Sequence, residues 1–190
     1  MTTSATAVLR KEHEAILKML EATEQVAGQL QRSARVSPDT LKGLLEFFQL
    51  FADRCHHGKE EDLLFPLLEE KGLPRDGGPI GVMLHEHTIG RSLIRDMAEA
   101  SNAYVQGEEG AGLRWAEAAL GYASLLRSHI HKENNILFVM AERLLSDAEQ
   151  AELAEGFEKI EIEKMGAGTH ERLHAQMAKI IGEVLAAAHP

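Results

Sequence analysis

Two stretches of the sequence carry an imidazole and a carboxylate four residues apart, His56-x-x-x-Glu60 and His129-x-x-x-Glu133. On a helix, positions i and i+4 lie on one face a turn apart, so each pair aims a nitrogen and an oxygen donor at one place. Laid against itself at an offset of 73, the chain brings His56, Lys59, Glu60, Leu64 and Phe65 onto His129, Lys132, Glu133, Leu137 and Phe138. At an offset of 74, Glu12-His13 falls on Glu86-His87. A second pair, His57/Glu61, overlaps the first but does not recur, because its counterparts are Ile130 and Asn134. The repeat therefore selects His56/Glu60. At 3.6 residues per turn, His57 and His131 lie about 100° and 200° around their helices from His56 and His129, which turns them toward solvent.

The selected pairs share a face with apolar residues: Phe48, Ala52, Leu63 and Leu67 in one case, Tyr122, Leu126, Ile136 and Leu137 in the other. Burying that many polar groups is costly unless something satisfies them. A lone core histidine usually just donates to a carbonyl. Two His/Glu pairs in register, with one further histidine from each intervening helix, point instead to metal ligation. A nitrogen and oxygen donor set without thiolate leans to iron, ahead of manganese or zinc. Each glutamate can bridge a pair of ions while histidines complete their shells.

The elements that must hold these residues read as helices. The long segments are rich in Ala, Leu, Glu, Lys and Met with apolar residues three and four apart, and no segment alternates as a strand does. Punctuation sets the boundaries. Ser37-Pro38-Asp39 offers an N-cap with proline behind it, the stretch from Gly72 to Pro79 is a turn cluster, and Ser146-x-x-Glu149 has the form of a capping box. The expected helices are about 5–32, 38–71, 79–106 and 112–145, with shorter ones at 147–164 and 169–188. Short links between four long helices predict an all-α, antiparallel up-down four-helix bundle over 1–145, with a C-terminal helical extension, 146–190, packed on it. Pro66 should kink the second helix one turn beyond the His/Glu pair.

Composition narrows the function classes. With 190 residues, roughly 70% of the unfolded surface can be buried, so no disulfide is needed. The formal charge of −10 disfavours a nucleic-acid partner. No apolar run approaches the ~18 residues of a membrane span and the first residues lack a signal-peptide core. The lone Cys55 reads as a small buried hydrophobe and fits a reducing cytoplasm. Neither a P-loop nor a dinucleotide fingerprint is present.

Together these residues resemble the hemerythrin-like (HHE cation-binding) family. The matching pieces are Glu12-His13-Glu14, His56-x-x-x-Glu60-Glu61 running into Leu64-Phe65-Pro66, Glu86-His87, and His129-x-x-x-Glu133, spanning about residues 8–145. The resemblance implies a four-helix bundle around two non-haem iron ions, with Glu60 and Glu133 bridging and His13, His56, His87 and His129 as terminal ligands. Oxygen-carrying members have a second histidine four residues from the one in the third helix. Here those positions are Met83 and Arg91, and His85 is turned about 200° from His87. The C-terminal His170 and His174 share a helix face; they are either an ordinary polar stripe or the source of the missing ligand, His170 being the candidate. Otherwise the vacancy is a water or substrate position. Glu12 and Glu86 point away from their histidine neighbours, toward capping or salt-bridge roles, and Tyr122 reads as core. Three functions follow as expectations: binding or sensing of dioxygen or nitric oxide; an enzyme acting on nitric oxide or peroxide, or donating iron for cluster repair; or a metal-stabilised interaction bundle. On this reading Glu60→Ala or Glu133→Ala empties both positions and His57→Ala changes nothing.

Overall fold

The computed structural model describes residues 4–166 and 168–188, and among them every regular element is helical. Helix α1 (Ala5–Gln31) starts at Ser4, whose hydroxyl accepts from the Ala7 N–H at 3.3 Å. Helix α2 begins at Ser37-Pro38 as expected and is composite. It is α-helical over Pro38–Phe47, π-helical over Phe48–His57 and again over Glu60–Leu64, then α-helical over Phe65–Glu70. Helix α3 is Pro79–Val105. Helix α4 runs Ala111–Lys132, makes a π turn at Glu133–Leu137 and finishes at Phe138–Leu144. The Ser146/Glu149 capping box opens α5 (Asp147–Met165), and α6 is Thr169–Ala188. Capping residues and glycines fix these ends because they satisfy the orphan backbone groups there. All the expected boundaries fall within one residue of those observed.

Helix α4 packs along α1 and α3, α2 packs against α1 and α3, and α5 and α6 lie on α1 and α2. The interior has two apolar clusters. One gathers Ile16, Met19, Phe48, Ile94, Trp115 and Leu126; the other gathers Leu9, Leu64, Phe65, Met83, Leu137 and Phe138. Helices α1 and α3 run from the second cluster to the first, and α2 and α4 run the opposite way. Each crosses a layer of buried histidine and glutamate between them.

The π turns correct two expectations of interior register. Leu63 and Leu67 are only half-buried while Leu64, Phe65 and Leu68 are fully inside. In α4, Ile136 is 52% exposed and Leu137 is buried. An i→i+5 turn accommodates one more residue than an α turn, so the inward positions slip by one beyond it. Phe65 N–H bonds the Glu60 carbonyl, and Phe138 N–H bonds the Glu133 carbonyl in the same way. Pro66 is therefore not the cause, since α4 makes the same turn without a proline. In α4 the irregularity starts at Glu133, and in α2 it is already present from Phe48 and resumes at Glu60.

Candidate metal centre

The polar layer is made by His13 of α1, His56, His57 and Glu60 of α2, His87 of α3, and His129 and Glu133 of α4, all essentially buried. Donor atoms of His13, His56, Glu60 and Glu133 lie within 4.8 Å of one another, and so do those of His57, Glu60, His87 and His129. The carboxylates connect the two halves. Glu60 Oε1 is 3.5 Å from His56 Nε2 while its Oε2 is 3.5 Å from His87 Nε2. Glu133 Oε2 is 3.1 Å from His13 Nε2 and its Oε1 is 3.2 Å from His129 Nε2. His87 Nε2 and His129 Nε2 converge to 3.1 Å.

The other ring nitrogens are tied down from outside. His56 Nδ1 donates to Glu12 Oε2 at 2.8 Å, and His129 Nδ1 to Glu86 Oε2 at 2.9 Å. His87 Nδ1 donates to Glu61 Oε1 at 2.6 Å and His13 Nδ1 to Asn134 Oδ1 at 2.9 Å. Such bonds fix the tautomer and leave each Nε2 bare and facing inward. Lysines back two of the acceptors, Lys59 on Glu12 and Lys132 on Glu86. Arginines back the other two: Arg91 donates to Glu61 at 2.8 Å, and Arg10 to the Asn134 backbone carbonyl at 2.7 Å. In this outer ring the internal repeat holds for Glu12/Glu86 and Lys59/Lys132 and breaks at Glu61/Asn134. Glu12 and Glu86 do form salt bridges, but each also holds the histidine of a neighbouring helix.

Unsatisfied atoms test whether a metal fits. Among the described residues, His13 Nε2, His57 Nε2 and all four oxygens of Glu60 and Glu133 are buried with no hydrogen-bond partner. Each such atom left alone costs about 1–3 kcal/mol, and cations bound between them remove that cost. Burial and the neighbouring Glu133 push the Glu60 carboxyl well above its usual range. Glu133 is held well below it: burial opposes this, but His129 and His13 outweigh it. Burial pulls His56 down to about 4 and His57 well below its ordinary value, so both are neutral, as ligation requires. His129 is raised to about 9 because Glu133 and Glu86 overcome its burial. Cys55 is buried, and desolvation pushes its thiol up to about 12. The donors are thus imidazole and carboxylate, a set suited to iron.

A family model, the hemerythrin HHE cation binding domain, matches residues 4–141 and so includes every residue of both donor groups. The chain belongs to this hemerythrin family. It is 32% identical over 138 residues to the iron-sulfur cluster repair protein YtfE of Yersinia pestis (strain Pestoides F) and to that of Yersinia pseudotuberculosis (serotype O:1b, strain IP 31758). The match covers 70% of this chain and 59% of each relative, so the chain spans well under two thirds of their length. No solved structure matches it.

Against the hemerythrin pattern, His57 is the main correction. It is 3% exposed and stacks on His87 with ring centroids 3.8 Å apart. The π-helical run through His57 turns successive residues by less than an α-helix does, so His56 and His57 both face the interior. Neighbouring histidines in one helix gave the signal, but a 3.6-residue period discards it. His131 is exposed, as expected. The side chain of His170 lies outside the described residues. His174 stands edge-on to Phe51 at 5.8 Å and is in neither donor group. Tyr122 packs on Phe48 in the apolar core. Helix α5 reaches the outer ring at Lys59, where Glu161 lies 3.3 Å from the ammonium and Phe157 lies beneath it. No helix among the described residues is long and apolar enough to cross a membrane.

Proposed function

We propose that the chain is a non-haem di-iron protein whose centre serves iron-sulfur cluster repair. His13, His56, Glu60 and Glu133 would hold one ion; His57, His87, His129 and the same two glutamates would hold the other. The observation that carries the reading is the pair of fully buried carboxylates, each with one oxygen toward each histidine group and none hydrogen-bonded. Similarity to proteins named for cluster repair supports iron donation as the use of that centre. When bound, the ions supply redox activity and transferable iron. The chain's own part is to keep the Nε2 atoms aimed inward and to exclude water. The opposed running of α1/α3 and α2/α4 supports an antiparallel up-down four-helix bundle over 1–145, with 146–190 an extension packed on it. A buried, unpaired cysteine is in keeping with a reducing cytoplasm.

A second reading is reversible binding or turnover of dioxygen, nitric oxide or peroxide. It is favoured by the apolar wall: Phe138 stacks on His13 at 5.4 Å and Phe65 on His87 at 6.0 Å. Metal analysis with a visible spectrum comes first, and about two irons per chain are expected. The iron-loaded protein is then mixed with a cluster-depleted acceptor, and separately reduced and exposed to each small molecule. Iron transfer without a stable adduct supports repair, whereas a stable adduct with no transfer supports the second reading. A protein that takes up no iron on anaerobic reconstitution defeats both.

A further inference from the structure

The internal repeat that builds the centre is broken in its two innermost non-matching positions, and both breaks favour the same half. His57 has Ile130 as its counterpart, so the His87/His129 group has a third imidazole and the His13/His56 group does not. Glu61 has Asn134 as its counterpart, so His87 donates to an anionic carboxylate while His13 donates to a neutral amide oxygen. A carboxylate acceptor raises the basicity of the imidazole behind it more than an amide does, and changes to such partners typically move metal affinity about 10–100-fold. The other two acceptors cancel in the comparison. Glu12 and Glu86 are both carboxylates, and each is paired to one lysine.

We infer that the two metal positions are unequal, with the ion at His57/His87/His129 resident and the ion at His13/His56 exchangeable, set by Asn134 against Glu61 as positioning residues. The inference rests on the two-metal reading above. A cavity lies behind the exchangeable half and reaches its outer ring, though none of its ligands. A space of about 820 Å³ opens between α1, α2 and the C-terminal helices, and its wall includes Glu12, Lys59 and Glu161. Glu12 is the residue that holds His56. A donor of this design gives up one iron and keeps the other, so its interior is never emptied of charge compensation in one step.

The test is release of ferrous iron from the fully loaded, oxygen-free protein into an excess of bipyridine, followed by the colour of the chelate. The unmodified protein should release iron in two phases of equal amplitude, separated at least about tenfold in rate. Asn134→Asp should slow the fast phase toward the slow one, and Glu61→Gln should speed the slow phase while leaving the fast one in place. Release of both ions in a single phase overturns the inference, as does a two-phase release in which Asn134→Asp alters only the slow component. Two-phase release by the unmodified protein already tests it if a variant does not fold. A protein that cannot be loaded beyond one iron fails differently: it removes the two-metal reading itself.

Discussion

Glu60 shows how far the centre departs from an ordinary core. Its carboxyl is fully buried, has no hydrogen bond, and faces a second buried carboxylate. Without cations this arrangement destabilises the fold. Replacing Glu60 by Leu should therefore raise the stability of the metal-free protein by about 1–4 kcal/mol, the range seen when buried ionic groups give way to apolar ones, while abolishing metal uptake. Thermal melts of stripped protein and metal analysis of loaded protein check the two halves. Glu60→Ala and Glu133→Ala should each lose both ions, since each carboxylate spans both groups. His57→Ala should now lower iron retention at one position, the reverse of what helical periodicity implies. Most of the inner ring was legible because the repeat superimposes His56/Glu60 on His129/Glu133 and His13 on His87. His57 was not, because no residue type announces the π turn that brings it inward. The Glu61/Asn134 mismatch in the repeat served only to select His56/Glu60 over His57/Glu61, and it is also a change of acceptor behind two histidines.

At the scale of elements, sequence punctuation placed the helices well because caps, prolines and glycines act locally. It placed Leu63 and Leu67 beyond Glu60, and Ile136 but not Leu137 beyond Glu133, one residue off the interior, because the slip comes from backbone hydrogen bonding inside the helix. How the C-terminal helices seat is a tertiary matter, and two glycines show where. A Cβ at Gly156 of α5 would lie 2.8 Å from Leu63 Cδ1, and one at Gly43 of α2 would lie 2.7 Å from Ile180 Cδ1 of α6. Alanine needs only a shifted side-chain end, but a branched residue does not fit. Gly156→Val should cost about 1–3 kcal/mol by overpacking, a fall in melting temperature of ~2–4 °C per kcal/mol at this chain length. It should also uncover Lys59, which α5 covers with Phe157 and Glu161. Faster labelling of Lys59 by an amine-reactive reagent, read by peptide mass, is the expected sign; unchanged labelling would mean that α5 does not seal the outer ring.

For the whole molecule, metal and protons compete for one set of nitrogens, which makes stability depend on pH with opposite signs in the loaded and stripped states. In the stripped protein His129 is raised to about 9 from an ordinary value near 6.5. Its proton therefore stabilises the fold fully below about 6.5, and that contribution disappears as pH rises through 9. His56, lowered to about 4, acts the other way, withdrawing stability as pH falls from 6.5 toward 4. Between pH 6.5 and 9 the His129 contribution is being lost, and the raised Glu60 carboxyl acts in the same direction, so stripped protein should lose stability across that interval. Loaded protein should not, because an ion that occupies the centre needs His129 neutral and gains affinity as its proton leaves. An ion at 100 times its dissociation constant adds about 2.7 kcal/mol. The gap in melting temperature between loaded and stripped protein should thus widen from pH 6.5 to 9 and narrow on acidification as pH falls toward 4, where His56 takes up its proton and metal is released. Calorimetric melts of both forms at intervals across pH 4–9 measure it. A gap that stays constant over that range would mean that no imidazole proton is exchanged for metal, and the histidine layer would then have to be structural.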